Sequence, residues 1–278
     1  MITRHPSAAG QYYPRDKESL EQTIDKISRR VRTSKRTVAG LLVPHSGIAY
    51  VGEAQAFAYK SITGSPIFVL IGTNHAGQGA AYSIMSQGAW TTPLGSVRID
   101  SELANAIKNK TSYLQEDVSS FSAEHSIETH LPWLQKLFGN VEFVPISVSG
   151  REIEAYREIG SAIRDAAHET GRSVCVIASS DLTRYGESFG FVPVEGGGAL
   201  EWMRETDAAV IEALRTQDVK RLLEAAAQTN ICGLGAIVTM LYATMEVSTG
   251  GTLLHYGTTY PVSQTTNAVT SFAAVVME

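Results

Sequence analysis

Four short runs of apolar and β-branched residues constrain this chain more tightly than any other feature. They are TVAGLLVP (37–44), PIFVLIG (66–72), VEFVPISV (141–148) and SVCVIASS (173–180). Apolar runs of this length without alternation suit strands buried on both faces of a sheet. Helical patterning fills the stretches between and after them: GEAQAFAYKSI, SELANAIKNK behind a short GSVRID strand, REIEAYREIGSAIRDAAHE, ALEWMRETDAAVIEALR, DVKRLLEAAAQ and GLGAIVTMLYATMEV. AVTSFAAVVM reads as a last strand. Strands alternating with helices predict an α/β fold, a mostly parallel central sheet with helices on both faces. No repeat or low-complexity linker breaks the pattern, and EGGGAL (195–200) reads as a loop entering a helix, so residues 1–278 read as one domain.

Composition narrows the class. A chain of 278 residues, 44% hydrophobic and 18% charged, is long enough to bury a large core. A net charge of -5 with no basic run argues against nucleic-acid and anionic-membrane binding. The N-terminal MITRHPSAAG lacks the apolar segment of a signal peptide, and no run approaches the roughly 20 apolar residues of a membrane span. Two cysteines, Cys175 and Cys232, do not form a metal-type pair in sequence, so a cytoplasmic protein with reduced thiols is expected.

The residues after the strands carry the chemistry. The first run ends in His45, the second in Asn74 and His75, the fourth in Ser179, Ser180 and Asp181. Ligands of open α/β sheets bind beyond the carboxyl ends of the strands. Small neighbours (Ser46, Gly47, Gly72, Gly77) allow tight turns and close approach of a ligand. For any one of these residues a polar turn position is the plain alternative; three such endings in one chain weigh against it. Cys232, in NICGLGAIV, stands just before an apolar helix expected to run to about Val247, where its thiolate gains from the helix dipole. Thiolates and neutral imidazoles are good ligands for zinc, iron or copper. The alternative for Cys232 is a small buried hydrophobe, the reading adopted for Cys175 inside its strand. GTNHAGQG and CGLGAIV lack the third glycine of a dinucleotide fingerprint, and G-x-S-x-G is absent. His5, His168 and His255 have no convergent partner, and His168, late in a helix, is expected at the surface.

The stretch EHSIETHLPW (124–133) needs separate treatment. Ile127, Leu131, Leu134 and Phe138 recur at helical spacing, and Pro132 suits a first turn. His125 and His130 are five apart, unlike H-E-x-x-H, and on a helix would lie about 140° from one another. They do not share a metal. His125, in the entering loop, is expected to face the strand ends, and His130 to make a buried structural hydrogen bond. Glu124 and Glu128 fit the positive end of the helix dipole, a reading as good as a catalytic role.

The set AGQYYP (9–14), VPHSG (43–47), GTNH (72–75), EHSIETHLPW, SSDLTRYG (179–186) and NICGLGAI (230–237) resembles the Memo family. The resemblance implies a fold similar to the LigB-like class III extradiol dioxygenases, which are non-haem iron enzymes. It implies a pocket of two histidines and a cysteine, matched by His45, His75 and Cys232 as metal ligands. Some relatives have two adjacent histidines where this chain has His75 followed by Ala76. His125 and Asp181 match other polar pocket positions. His125 is expected as acid/base because an imidazole titrates near neutral pH, and Asp181 as the group that orients a histidine or a water. The metal expected is iron ahead of copper or zinc, in a metal-dependent oxidoreductase. Dioxygenase activity does not follow from the fold, because a cysteine stands where those enzymes use a glutamate. The alternatives are a scaffold binding a peptide or small metabolite in the same pocket, and a hydrolase using zinc or a Cys232 nucleophile. Family association implies an AMMECR1-like protein and a radical SAM protein as partners.

Overall fold

The computed structural model describes residues 2–278. Twelve strands join one mixed sheet: β1 (Thr3–Arg4), β2 (Gly40–Val43), β3 (Ile67–Gly72), β4 (Tyr82–Ile84), β5 (Ala89–Thr92), β6 (Gly95–Ile99), β7 (Gln115–Glu116), β8 (Glu142–Val148), β9 (Val174–Ser179), β10 (Arg184–Tyr185), β11 (Gly251–Thr258) and β12 (Val269–Met277). The order is β1-β5-β6-β8-β3-β9-β2-β12-β10, with β11 also on β12, β4 on β8 and β7 on β4. From β6 to β2 every pairing is parallel. The margins turn antiparallel, at β5–β6 on one side and β2–β12 on the other.

The helices are α1 (Lys17–Arg30), α2 (Ile48–Ser61), α3 (Ser101–Lys108), α4 (Leu131–Phe138), α5 (Ile153–Thr170), α6 (Ala199–Arg215), α7 (Val219–Ala226), α8 (Leu234–Thr244) and α9 (Tyr260–Ser263). Helices α1, α2 and α4 pack together, as do α3, α5 and α8, and the two groups cover the faces of the sheet. The central strands are therefore buried on both sides, which is why they read as apolar runs. Phe68, Leu70, Phe143 and Ile177 are fully buried, each worth about 1.5–3 kcal/mol of transfer free energy. Pro145, inside β8, lies where the neighbour on one side changes from β6, paired at 142–143, to β4, paired at 146–148. Its carbonyl faces that side, accepting from Met85 N, so its missing N–H faces the break rather than a continuous ladder.

Several elements lie outside the sequence expectation. α1 is capped by Asp16 and buries Leu20 and Ile24. β11 adds an eight-residue margin strand, and β1, β4, β7 and β10 are two or three residues long. α8 stops at Thr244, short of the expected Val247.

The parallel centre points the carboxyl ends of β2, β3, β8 and β9 toward one rim. His45 lies two residues past β2, His75 three past β3 and Asp181 two past β9. The N-terminus of α8, with Cys232 two residues before it, meets the same rim.

Candidate metal centre

Two glycines bring the rim segments within reach of one another. A Cβ on Gly72 would stand 2.5 Å from Ser126 Oγ, so the loop that carries His75 lies directly against the 124–130 stretch. A Cβ on Gly233 would stand 2.6 Å from Ser179 O and from Ser180 Cβ, which lets Cys232 reach the end of β9. His45 is buried beneath them. Its Nε2 lies 3.5 Å from Cys232 Sγ and 3.8 Å from Asp181 Oδ2. Asp181 Oδ1 accepts the backbone N–H of His45 at 3.2 Å, and its Oδ2 accepts the Ser46 hydroxyl at 2.6 Å. His75 Nδ1 is 2.9 Å from Glu124 Oε1, and Glu124 Oε2 accepts the His75 backbone N–H. One ligand atom each from His45, His75 and Cys232 lies within 4.8 Å of the other two. The exposure of the three rises from buried His45 through Cys232 to His75, so the cluster opens on the His75 side.

The rings are packed as a stack. Tyr12 lies on His125 at 4.2 Å between centroids, and His125 on His75 at 4.7 Å, both at 21°. His45 meets His75 and His125 edge-on, at 5.1 and 5.3 Å.

Counting donors fixes which ring nitrogens stay free. Ser179 Oγ donates its one hydrogen to the carbonyl of Ser126 at 2.6 Å, a group that only accepts. Its oxygen must then accept from both His45 Nδ1, at 2.9 Å, and His130 Nε2, at 2.8 Å. A singly protonated His45 therefore keeps its Nε2 lone pair facing Cys232. In the same way Glu124 Oε1 takes the backbone N–H groups of His125 and Ser126 besides His75 Nδ1. His75 Nε2, on the other side of the ring, lies 3.1 Å from Arg184 Nη2.

Without a metal, the charges favour an extra proton on these rings, which a bound cation would displace. Burial alone would raise Cys232, but His45, His75 and Arg184 hold its thiol well below the ordinary range. Burial would also raise Asp181 and Glu124; the His45 ring with the Ser46 hydroxyl lowers the first, and His75 holds the second down to about 2. Three anionic groups thus converge, and they draw protons onto the rings. Against the effect of burial, Cys232 and Glu124 hold His75 up to about 9, and Cys232 and Asp181 raise His45. A site that gathers positive charge and aims a thiolate and two imidazole nitrogens at one point has the donor set of zinc, iron or copper. These residues fit a metal.

A second grouping, His75, Glu124 and His125, also has ligand atoms within 4.8 Å. Its carboxylate is already taken by three backbone N–H groups and the His75 ring, so it orients the cluster rather than forming another.

Some expectations change here. Glu124 and Glu128 do not serve the helix dipole. Both are buried, and Glu128 is held by Arg4 at 2.6 Å, Tyr13 Oη at 2.5 Å and the backbone of Ser7 and Ala8. A dipole role needs only proximity, whereas a buried carboxylate must be hydrogen-bonded. His125 faces His45 and His75, yet burial and the neighbouring His45 charge hold it down to about 3, well below the neutral range. His130 is fully buried, bonded at both nitrogens by Ser179 and Tyr59, and its burial holds it down to about 3. His168 is exposed, Cys175 is buried, and His255 stacks on Phe57 at 5.3 Å. Glu124, Tyr12 and Arg184 had no assigned place at the rim. All three lie in segments singled out by sequence, but nothing in their spacing shows which way they turn.

A cavity of about 670 Å³ opens beside Cys232, bounded by Asn74, Arg151, Tyr156, Asn230 and Leu234 among others. Asn74 is almost fully buried, and its Oδ1 has no hydrogen-bond partner among the described residues.

The family described as Memo-like protein matches residues 4–276. A MEMO1 family protein of Methanopyrus kandleri is 34% identical over 291 residues, covering 99% of both chains. One of Methanosarcina acetivorans is 34% identical over 282 residues, covering 100% of both. Among solved structures, an uncharacterized protein, JW3007, of Escherichia coli K12 superposes with a TM-score of 0.51 at 12% identity, covering 87% of this chain and 100% of that one. At that identity the likeness speaks for the fold alone.

Proposed function

The chain belongs to the Memo family, and on that premise we propose that His45, His75 and Cys232 hold one metal ion in a metal-dependent redox protein, with iron ahead of copper and zinc. The observation that carries this reading is the proton bookkeeping. Ser179 and Glu124 each occupy the Nδ1 of one histidine and leave its Nε2 for the cluster. Iron or copper bound there supplies Lewis acidity and one-electron chemistry. The chain's own residues do the rest. Asp181 fixes the turn that presents His45 by accepting its backbone N–H and the Ser46 hydroxyl. His125, neutral at physiological pH and clamped between Tyr12 and His75, is placed to hydrogen-bond a group of the substrate rather than to take its proton. The cavity beside Cys232 takes the body of that substrate, a small molecule or a peptide side chain. No helix among the described residues is long and apolar enough to cross a membrane.

A second reading rests on the Cys232–His45 pair. A lowered thiolate 3.5 Å from an imidazole is also an activated nucleophile, as in a cysteine-dependent hydrolase.

One experiment separates the two. Protein purified without oxygen is expected to contain one metal per chain, to lose it in His45→Ala, and to shield Cys232 from iodoacetamide while loaded. Folded wild-type protein that takes up neither iron, copper nor zinc overturns the metal reading, and rapid alkylation of Cys232 in that protein supports the nucleophile.

A further inference from the structure

The stretch SRRVRTSKR (28–36) carries five basic side chains in nine residues, a basic run that the net charge of -5 conceals. It spans the end of α1 and the loop that follows, far from the proposed metal centre. There the C-terminus of α2 meets the C-terminus of α1, and each helix end is closed by a lysine of the other segment. Lys60 Nζ donates to the carbonyls of Ser28 at 2.6 Å and Val31 at 2.7 Å. Lys35 Nζ donates to the carbonyl of Ile62 at 2.7 Å. Between these segments lies a pocket of about 290 Å³, with Arg32, Lys35 and Lys60 on one side and Val31, Leu137 and Phe138 on the other.

The plain alternative is that cations gather here because helix C-termini attract them. Each helix end is worth only about half a negative charge, far short of Arg29, Arg30, Arg32, Lys35 and Lys60 together. Among the described residues none of these five has a carboxylate within ion-pair distance, whereas Lys108, Lys110 and Lys136 each have one. The acids nearest in the fold are already engaged, Asp25 by Lys136 and Glu278 by Arg36. Burial, Arg32 and Lys35 hold Lys60 below the ordinary lysine range, which is the mark of cations facing one another without a counter-charge. Donors are also left over. An ammonium has three N–H groups and a guanidinium five. Lys60 uses two, Lys35 one, and the Arg32 side chain none among the described residues.

We infer that this pocket is a second binding site, for a phosphate group carried on a small apolar body, and that Arg32, Lys35 and Lys60 are the residues that hold the phosphate. A phosphate brings close to two negative charges and three strong acceptor oxygens, which matches three unneutralised cations better than a carboxylate does. The two lysines are already fixed by the helix carbonyls, so little ordering remains to be done when the anion arrives. Val31, Leu137 and Phe138 then cover the apolar part of the ligand. The volume, near the lower bound of about 300 Å³ for small-molecule sites, suits one ring or a short chain rather than a dinucleotide. The site is independent of the metal reading, since none of its residues reaches the proposed ligands.

The test titrates phenyl phosphate, benzoate and an oligothymidylate into the full-length protein at low salt, by calorimetry. Phenyl phosphate is expected to saturate one site per chain and to bind roughly tenfold more tightly than benzoate. Arg32→Gln, a change at an exposed side chain, is expected to weaken phenyl phosphate by roughly tenfold, and Arg157→Gln, at an arginine paired with Glu154, to leave it unchanged. Matching thermal melts of the variants and wild type establish that both are folded. No saturable binding of phenyl phosphate overturns the site. Binding untouched by Arg32→Gln, or weakened equally by Arg157→Gln, does the same, because it places the anion elsewhere. Benzoate binding as tightly as phenyl phosphate overturns the phosphate assignment. Oligothymidylate that binds more tightly than phenyl phosphate, with an affinity that falls steeply as salt rises, overturns the pocket in favour of an open surface for polyanions.

Discussion

Helices α5 and α8 each border two cavities of similar size, one at either end of the sheet. At their N-termini lies the cavity of about 670 Å³ beside Cys232. At their C-termini lies one of about 620 Å³, lined by Ile163, Val176, Ala243, Arg164, His168 and Arg172 among others. Size does not distinguish them. The second has an apolar floor and basic side chains that already have partners: Arg164 meets Glu246 at 2.7 Å and Asp165 at 3.1 Å, and Arg172 meets Glu102 at 2.7 Å. Cations at helix C-termini are what the dipole favours without any ligand. The first cavity borders buried titratable groups whose protonation is displaced and whose lone pairs converge. A cavity becomes a site through unspent bonding capacity, and of these two only the first has it.

Changes at the two ends should therefore differ in kind. The largest effect is expected for Ser179→Ala. It removes the acceptor that fixes His45, so metal affinity should fall by about 10- to 100-fold in a competition titration while the fold survives. Unchanged affinity would mean that Ser179 does not set the free nitrogen. Next is the response to acid. His125 and His130, each held down to about 3 against about 6.5 in an unfolded chain, bind fewer protons folded than unfolded in that interval. Stability should thus fall as pH drops from about 6.5 toward 3, by about 1.4 kcal/mol per pH unit for each ring, read from urea midpoints. A flat profile across that interval would show that the rings are not buried neutral. Tyr59→Phe leaves His130 Nδ1 without its donor and should cost about 1–3 kcal/mol of stability with metal affinity unchanged. Arg164→Ala, at the opposite cavity, should cost less than about 1 kcal/mol and leave metal binding untouched. A loss of metal in that variant would erase the distinction between the two ends.

The central strands were legible because burial on both faces leaves a continuous apolar run that needs no partner to be recognised. Their polar endings were legible for the complementary reason: β2, β3 and β9 stop where His45, Asn74 and Ser179 begin to carry hydrogen bonds. β11 was not, since GTLLHYGT lies at a margin, half exposed, and neither alternates nor runs apolar. α1 carried a readable signal, Asp16 at the cap with Leu20 and Ile24 four apart, overshadowed by its strongly charged surface. At the rim, His130 could be assigned to structure from its place beside an apolar stripe. Glu124 could not, because its role depends on the chain folding back so that one carboxylate meets the N–H groups of residues 75, 125 and 126. Arg184 had no sequence signal of its own, and only the fold brings it to 3.1 Å from a ring 109 residues away.

The proposed ligands come from distant parts of the chain. Cys232 stands 187 residues after His45, and Asp181 136 after it. Ribosomes add roughly 5–20 residues per second, so His45 waits on the order of 10–40 s for its thiol partner to be synthesised. Throughout that interval the nascent chain has histidines but no centre. The N-terminal anchor of the 124–133 stretch, Arg4 on Glu128, likewise closes only after more than a hundred residues have been made. Contacts of such separation form late in folding. For the proposed centre, metal loading is therefore a post-translational event, one that must await delivery of the last third of the chain.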